Sequence, residues 1–370
     1  MKFSCEKALL LTAISITSKV ASAKSAIPAL EGLLLEASRN LRISGYDLKT
    51  GIKTEIPADI TEMGEIVLNA RLLGEIVRKL PEDIVTITVD NRNTALIECG
   101  LSHFTVMGTP SSDYPELPSV DTKNSIYVKQ SVIKSMIAET IFAVSDNESR
   151  PIQTGTLFEI EGRSLNMVAV DGYRLALRRE NIEKSDLDSC SFVIPGTALG
   201  EVEKIASDSD ELVTITIGTK HILFTIGDTT VISRRLEGEF LNYRQAIPQD
   251  SKIVLRVKTG SLVDSVERVS LIINDKLKSP LKCIFADRAV QLSAVTALGK
   301  AQDECKIDGD GENLEIGFNN KYLLDALKAV PADEVKILLN TSVSPCIFGP
   351  TDDKDNFIYM VLPIRMRAGD

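Results

Sequence analysis

The sequence contains no tryptophan, only two histidines and no closely spaced cysteines, and each absence narrows the chemistry open to its 370 residues. The six cysteines (Cys5, Cys99, Cys190, Cys283, Cys305 and Cys346) lie at least 22 residues apart. Without a CxxC pair they suggest neither a zinc site nor a disulfide framework. They read as small core residues in a reducing compartment. General acid–base and metal chemistry near neutral pH usually recruits histidine. Here His103 (HFTVM) and His221 (HILFTI) are far apart, and each reads as a strand residue with one face packed. GxSxG, Walker, HExxH and GxGxxG motifs are all missing, and no pair of carboxylates is marked by its spacing. Nothing argues for catalysis, a metal or a cofactor. No apolar run reaches the ~18–20 residues of a membrane span. Glu6 and Lys7 stand where a signal peptide would begin its apolar stretch, so no membrane partner and a cytoplasmic location are expected.

What is present is an ordinary globular balance, 44% hydrophobic and 25% charged, with 42 Lys+Arg against 52 Asp+Glu and a net charge of −10. At ~150 residues per domain the length predicts two or three domains. Internal repetition decides between them. NARLLGEIVRKLPEDIVTITV (69–89), PGTALGEVEKIASDSDELVTITI (195–217) and NNKYLLDALKAVPADEVKILL (319–339) each read as amphipathic helix, polar turn and alternating strand. A second trio precedes them. KFSC (2–5), SIYVK (125–129) and KIVLRVK (252–258) lead into ALLLTAISITSKV, VIKSMIAETIFAV and GSLVDSVERVSLI, and then into LEGLLLEA (30–37), GTLFEIEG (155–162) and PLKCIFAD (280–287). DYPELP (113–118) and NYRQAIP (242–248) close the first two copies. The pattern predicts an α+β chain of three similar domains, 1–121, 122–249 and 250–370, each with two helices packed on antiparallel sheet.

Positive charge is not spread evenly. On a helical wheel, Leu72, Leu73, Ile76, Val77 and Leu80 share one arc of the first copy, with Arg71 and Arg78 opposite. Tyr322, Leu323, Ala326, Leu327 and Val330 repeat that arc in the last copy, with Lys321 and Lys328 opposite; the middle copy has Ala198, Leu199, Val202, Ile205 and Ala206, with Lys204 but Thr197 for the second base. The six helix-like segments together carry +5, leaving −15 for the rest. Basic residues commonly decorate a solvated helix face. Their recurrence also fits a surface for a polyanion held by charge rather than read by sequence.

Several segments carry a family. The opening MKF, IPALEGLLLEA (27–37), DGYRLA (171–176), EFLNYRQAIP (239–248), IINDK (272–276) and YMVLPIRMR (359–367) appear in an order that resembles the bacterial DNA sliding clamps, the beta subunits of DNA polymerase III, over the whole length. The resemblance implies a head-to-tail homodimeric ring of three-domain chains that encircles double-stranded DNA without sequence preference, tethers DNA polymerase, the clamp loader and other proteins carrying a short apolar clamp-binding peptide, and catalyses nothing. A protein-interaction scaffold that does not encircle DNA is the alternative. Carried over residue by residue, the resemblance implies DNA contact at Lys24, Arg71, Arg78, Asn147, Arg150 and Lys204. Gly196 and Thr197 stand where relatives often have a basic pair, and Pro151 replaces an aromatic. It implies a partner-peptide pocket at Val170, Gly172, Tyr173, Arg174, Leu175, Leu241, Ala246, Met360, Leu362, Pro363, Ile364 and Arg365, with apolar walls and an arginine rim, for peptides carrying Gln followed by Leu and Phe. Leu241 departs from the proline of many relatives. The implied dimer contacts are Phe104 and Val106, facing Leu271 and Ile272 of SLIIN, on exposed edge segments.

Overall fold

Each repeat begins where a strand runs straight into a helix. The computed structural model describes residues 1–22, 24–120, 124–274, 279–352 and 356–366. Its helices are α1 (Lys7–Thr17), α2 (Ala70–Lys79), α3 (Gln130–Ala138), α4 (Gly196–Ile205), the single turn α5 (Tyr243–Ala246), α6 (Thr259–Ser270) and α7 (Asn320–Lys328). Strands Lys2–Glu6, Ser125–Lys129 and Ile253–Lys258 feed α1, α3 and α6. The first N–H of each of these helices donates to a carbonyl just before a later strand: Lys7 to Asp83 (3.2 Å), Gln130 to Glu211 (2.8 Å) and Thr259 to Asp333 (2.8 Å). An orphan donor is satisfied in the same way three times. Among the second helices, α2 and α7 are capped by Asn69 and Asn319, whose side chains accept from Leu72 N and from Lys321 N and Tyr322 N. Pro195 occupies the equivalent position before α4.

The backbone divides into two compact units, residues 1–133, 183–187 and 201–235, and residues 134–182, 188–200 and 236–370. The middle repeat is therefore shared between them, and sheet pairing gives the reason. In the first unit, one five-stranded sheet runs 59–62, 2–6, 84–89, 94–99, 102–107. A nine-stranded sheet joins 184–185, 125–129, 212–217, 221–226 and 229–234 of the second repeat to 50–56, 41–46, 32–37 and 64–69 of the first. The joint is the antiparallel pair Val231↔Ile52 and its neighbours. In the second unit a ten-stranded sheet is joined the same way, with Tyr359↔Ala176 and Leu175↔Met360 pairing the third repeat to the second.

In the first unit, α1 lies beside α2 on a core that includes Phe3, Leu10, Leu33, Ile43, Leu73, Val77 and Ile97. In the second, α6 lies beside α7 over Leu255, Val266, Phe318, Leu327 and Tyr359. The expected arcs are buried at Leu73, Ile76, Val77, Leu80, Ala198, Leu199, Val202, Ala206, Leu323, Ala326 and Leu327. Leu72 is the correction: it is exposed, because Ala70 and Gly74 turn inward and rotate the buried arc away from it. PLKCIFAD is also only the start of a longer strand, Leu281–Thr296, paired with Gly299–Phe318. Five cysteines are buried, and burial pushes the Cys5 and Cys283 thiols up to about 12, so both stay protonated. His103 is exposed on an edge strand rather than packed on one face. His221 is half-buried, and its pKa is lowered by burial and by Arg234 and Lys220. Among the described residues no group of His, Cys, Asp or Glu is placed to hold a metal ion, and no helix is long and apolar enough to cross a membrane.

The boundary expected at 121/122 lies outside the described residues, and that at 249/250 falls in the irregular stretch between α5 and Ile253–Lys258.

Candidate functional site

Strands Arg174–Asn181 and Phe357–Val361 lie side by side in the second unit, and alternation splits their side chains between two faces. Ala176, Phe357, Tyr359 and Val361 face the helices. Val170, Leu175, Leu177, Ile358, Met360 and Leu362 face the other way, in a second apolar cluster with Leu157, Val193, Tyr243 and Ala246. Five of the expected pocket residues, Val170, Leu175, Ala246, Met360 and Leu362, thus meet on one surface.

Its rims are made by two turns and a tail. Gly172 has φ +92°, a conformation that favours glycine, and Asp171 Oδ1 accepts from Tyr173 N (2.9 Å) and Arg174 N (3.0 Å). Leu362 N donates to Tyr173 O (2.8 Å), and Ile364 N donates to Gly317 O (2.8 Å), which fixes the path of the tail. Leu241, Tyr173 and Arg365 are exposed, while Pro363 and Ile364 are half-buried. On the far side Glu159 holds α5, accepting from Tyr243 Oη and from Arg244 Nη2 (2.9 Å).

Arg174 does not line the rim. Its position in the alternation sends it to the helix face, where it is buried, donating to Asp171 Oδ2 (2.9 Å) and Asp325 Oδ2 (2.6 Å). Its guanidinium lies 4.5 Å from the centroid of Tyr322, a ring that Tyr173 stacks on at 6.0 Å. Asp171, Asp325 and Tyr322 were not singled out by the motif reading. The period-2 pattern of DGYRLA was the signal that could have placed Arg174 inward. A cavity of about 320 Å³ lies in the same unit. It shares Ile247, Leu338, Ile347 and Ile358 with the cluster but none of the expected pocket residues.

Of the basic candidates, Lys24, Arg71, Arg78, Arg150 and Lys204 are exposed, as is Asn147. Asn147 and Arg150 share one turn, in which Arg150 N donates to Asn147 O (3.1 Å). Arg71 is paired with Glu75 (2.9 Å), Lys204 with Glu201 (2.7 Å) and Lys328 with Glu267 (2.6 Å), so part of the expected positive face is neutralised locally. Exposed pairs of this kind open easily to a phosphate.

Phe104 and Val106 sit on Ser102–Met107, the outermost strand of the five-stranded sheet. Phe104 is exposed, and Val106 is half-buried against the core. Leu271 and Ile272 are not on an edge strand: they form the turn that ends α6, Leu271 exposed and Ile272 packed on the core. The helix expected in GSLVDSVERVSLI runs to Ser270, and SLIIN is the turn that follows it rather than an exposed edge segment.

Comparison with known proteins agrees with this architecture repeat by repeat. Residues 1–118, 127–242 and 244–365 match the N-terminal, central and C-terminal domains of the DNA polymerase III beta subunit. The chain is 33% identical to the beta sliding clamp of Staphylococcus epidermidis over 99% of both chains, and 32% identical to that of Staphylococcus aureus over the same shares. Among solved structures it is similar to a putative DNA polymerase III beta subunit from Eubacterium rectale (TM-score 0.94, 34% identity, 99% of this chain and 100% of that one). It is also similar to the sliding clamp of Bacillus subtilis (TM-score 0.94, 31% identity, the same coverage). With every repeat matched in order and relatives a third identical from end to end, the chain belongs to the DNA polymerase III beta subunit family, the beta sliding clamps.

Proposed function

We propose that two copies of this chain close head to tail into a ring around double-stranded DNA, and that the apolar cluster around Met360 captures short peptides of DNA polymerase, the clamp loader and other partners. As a member of its family the protein is a DNA sliding clamp, a processivity factor and not an enzyme. The finer reading rests chiefly on one observation, the two strand edges that the repeat leaves open.

After the second helix of every repeat comes a three-stranded meander: 84–107, 212–234 and 334–361. The last strand of the second meander pairs with Thr50–Ile56 of the first repeat, and that of the third with Arg174–Asn181 of the second. The last strand of the first meander, Ser102–Met107, has no such partner among the described residues. The strand equivalent to Thr50–Ile56 and Arg174–Asn181 in the third repeat is 299–306, the return arm of the hairpin with 289–296, and its outer edge has no partner among the described residues either. A second copy supplies the missing strand to each edge, and two such joints satisfy both chains.

The repeat also sets the register. Val231↔Ile52 and Tyr359↔Ala176 are equivalent positions, and the same rule puts Phe104 opposite Ala301, Thr105 opposite Lys300 and Met107 opposite Leu298 of the second copy. Phe104, Met107 and Leu298 are 40%, 70% and 75% exposed in the single chain, and Leu271 is 83% exposed. Covering such side chains is worth ~1.5–3 kcal/mol each. Light scattering should give about twice 40.4 kDa. Leu271→Asp with Ile272→Ala should give folded monomers; an unchanged dimer would remove these residues from the joint.

The DNA contacts are proposed at Lys24, Arg71, Arg78, Asn147, Arg150 and Lys204, all exposed. The peptide pocket is proposed at Val170, Gly172, Tyr173, Leu175, Leu241, Ala246, Met360, Leu362, Pro363, Ile364 and Arg365, with Arg174 holding its rim from behind. Truncating central anchors typically costs ~2 kcal/mol or more. Met360→Ala with Leu362→Ala should therefore abolish calorimetric binding of a Gln-Leu-Phe-type peptide while dimer mass and melting temperature stay close to the parent's. Domain boundaries at 121/122 and 249/250 and a cytoplasmic location complete the proposal.

A further inference from the structure

The joint between the second and third repeats is built on a buried triad. Glu139, the residue directly after α3, faces Arg178, with Arg178 Nε to Glu139 Oε2 at 2.6 Å. Tyr359, from the meander strand of the third repeat, completes it, its Oη donating to Ala329 O (3.0 Å) beside Glu139 Oε2 (3.4 Å). The same two positions in the third repeat carry the opposite charges. Counting from the helix starts at Gln130 and Thr259, Glu139 corresponds to Arg268. Counting along the paired arms, in which Ala169↔Ala176 matches Ala294↔Ala301, Arg178 corresponds to Asp303. The contact itself agrees, because Arg268 Nε donates to Asp303 Oδ2 just as the first pair meets across helix and strand. Arg268 holds the Asp303 carboxyl below the usual carboxylate range.

The third member is missing from the single chain. The residue equivalent to Tyr359 on the first meander is Phe104, since Phe348↔Tyr359 corresponds to Ile97↔Phe104. The exchange makes chemical sense as a set. A carboxylate beside an aromatic ring wants a hydroxyl, which Tyr supplies and Phe lacks. A guanidinium is attracted to the ring face itself and needs no hydroxyl. Arg178 is 7% exposed where its joint is closed, whereas Arg268 is 58% exposed where it is open. At the first equivalent position the pair is uncharged: Ile16 on the helix side, and Thr54, whose hydroxyl meets that of Thr229 (2.9 Å).

We propose that Arg268, held by Asp303, is the receptor for Phe104 of a second copy, and that the charge inversion relative to Glu139–Arg178 makes the inter-chain joint distinct from the joints within the chain. Each joint then disfavours the others' strands, because Phe104 against Glu139 would leave the carboxylate without the hydroxyl beside it and Tyr359 against Arg268 would lose that carboxylate neighbour. This rests on the head-to-tail dimer proposed above.

The test transplants one triad onto the other joint. Arg268→Glu with Asp303→Arg keeps an exposed ion pair within the chain, so the fold should survive, checked by circular dichroism and melting. Its dimer dissociation constant, from sedimentation velocity across a dilution series, should rise about tenfold or more, the scale of a lost cation–π contact in a covered site. Adding Phe104→Tyr to that variant should recover most of the loss, while Phe104→Tyr alone should not tighten the parent. A dissociation constant unchanged by the charge swap, or a loss that Phe104→Tyr fails to recover, overturns the proposal while leaving the dimer in place. A parent that sediments as a monomer at all concentrations overturns the dimer reading instead, and this inference with it.

Discussion

Loaded onto a closed DNA circle, the protein should stay bound in salt that strips it from a short linear duplex, and cutting the circle should release it. Held by phosphate contacts alone, a protein that neutralises Z phosphates loses affinity with a log–log salt slope of about −0.9Z. The chain carries a net charge of −10, which disfavours tight contact at long range. The basic contacts proposed are few, and Arg71 and Lys204 are each engaged by a carboxylate on their own helix. Linear binding should therefore be weak and vanish at moderate salt. Topological retention has no such dependence, because no contact needs to persist for a closed ring to stay threaded. Gel filtration of loaded circles in high salt, before and after linearisation, separates the two. Arg71→Glu with Arg78→Glu should weaken binding to linear duplex and slow loading without changing the dimer mass. Protein lost equally from circle and cut circle would show that contacts do the holding, and would favour a scaffold that does not encircle DNA.

The repeat was legible because its signals are local. Strand Lys2–Glu6, the Asn caps of α2 and α7, and the alternation of IVTITV, LVTITI and VKILL are each specified by a few neighbouring residues. Arg174 was misplaced because a family motif gives a position but not a face. Its burial is set by Asp325, 151 residues away. SLIIN is ambiguous for a related reason: three apolar residues in sequence look alike whether a helix ends there or an edge begins, and only the packing of Val266 and Val269 on the core resolves it. The middle repeat illustrates a limit of another kind. Its sequence period is as clear as its neighbours', yet its strands complete two different sheets, so repetition in sequence does not set where the compact units divide. That division follows from long-range strand pairing, which no local window contains.

Cysteines at positions 105 and 300 should lock the ring covalently. The proposed register, carried over from the internal joints, would set Thr105 directly opposite Lys300 of the second copy, equivalent to Ile232↔Gly51 and Met360↔Leu175. Directly opposed residues of antiparallel strands have Cα atoms about 4.5–5.5 Å apart. A disulfide accepts Cα separations of about 4.4–6.8 Å. Both side chains are exposed, and the substitutions spare Phe104, Arg268 and Asp303. Background oxidation should be small, because only Cys190 among the natural cysteines is not buried, and Cys190→Ser removes it. Under mild oxidation the Thr105→Cys, Lys300→Cys variant should run on a denaturing gel as a dimer carrying one or two bonds, the doubly bonded form being a closed circle of protein. Formed around circular DNA, that species should survive denaturant on the intact circle and fall off the cut one. Pairing Thr105→Cys with Ala301→Cys is the control, since a one-residue slip turns the two side chains to opposite faces of the sheet. Efficient cross-linking of the control together with failure of the 105–300 pair would mean that the chains meet in another register, and the equivalence between the inter-chain joint and the two internal ones would not hold.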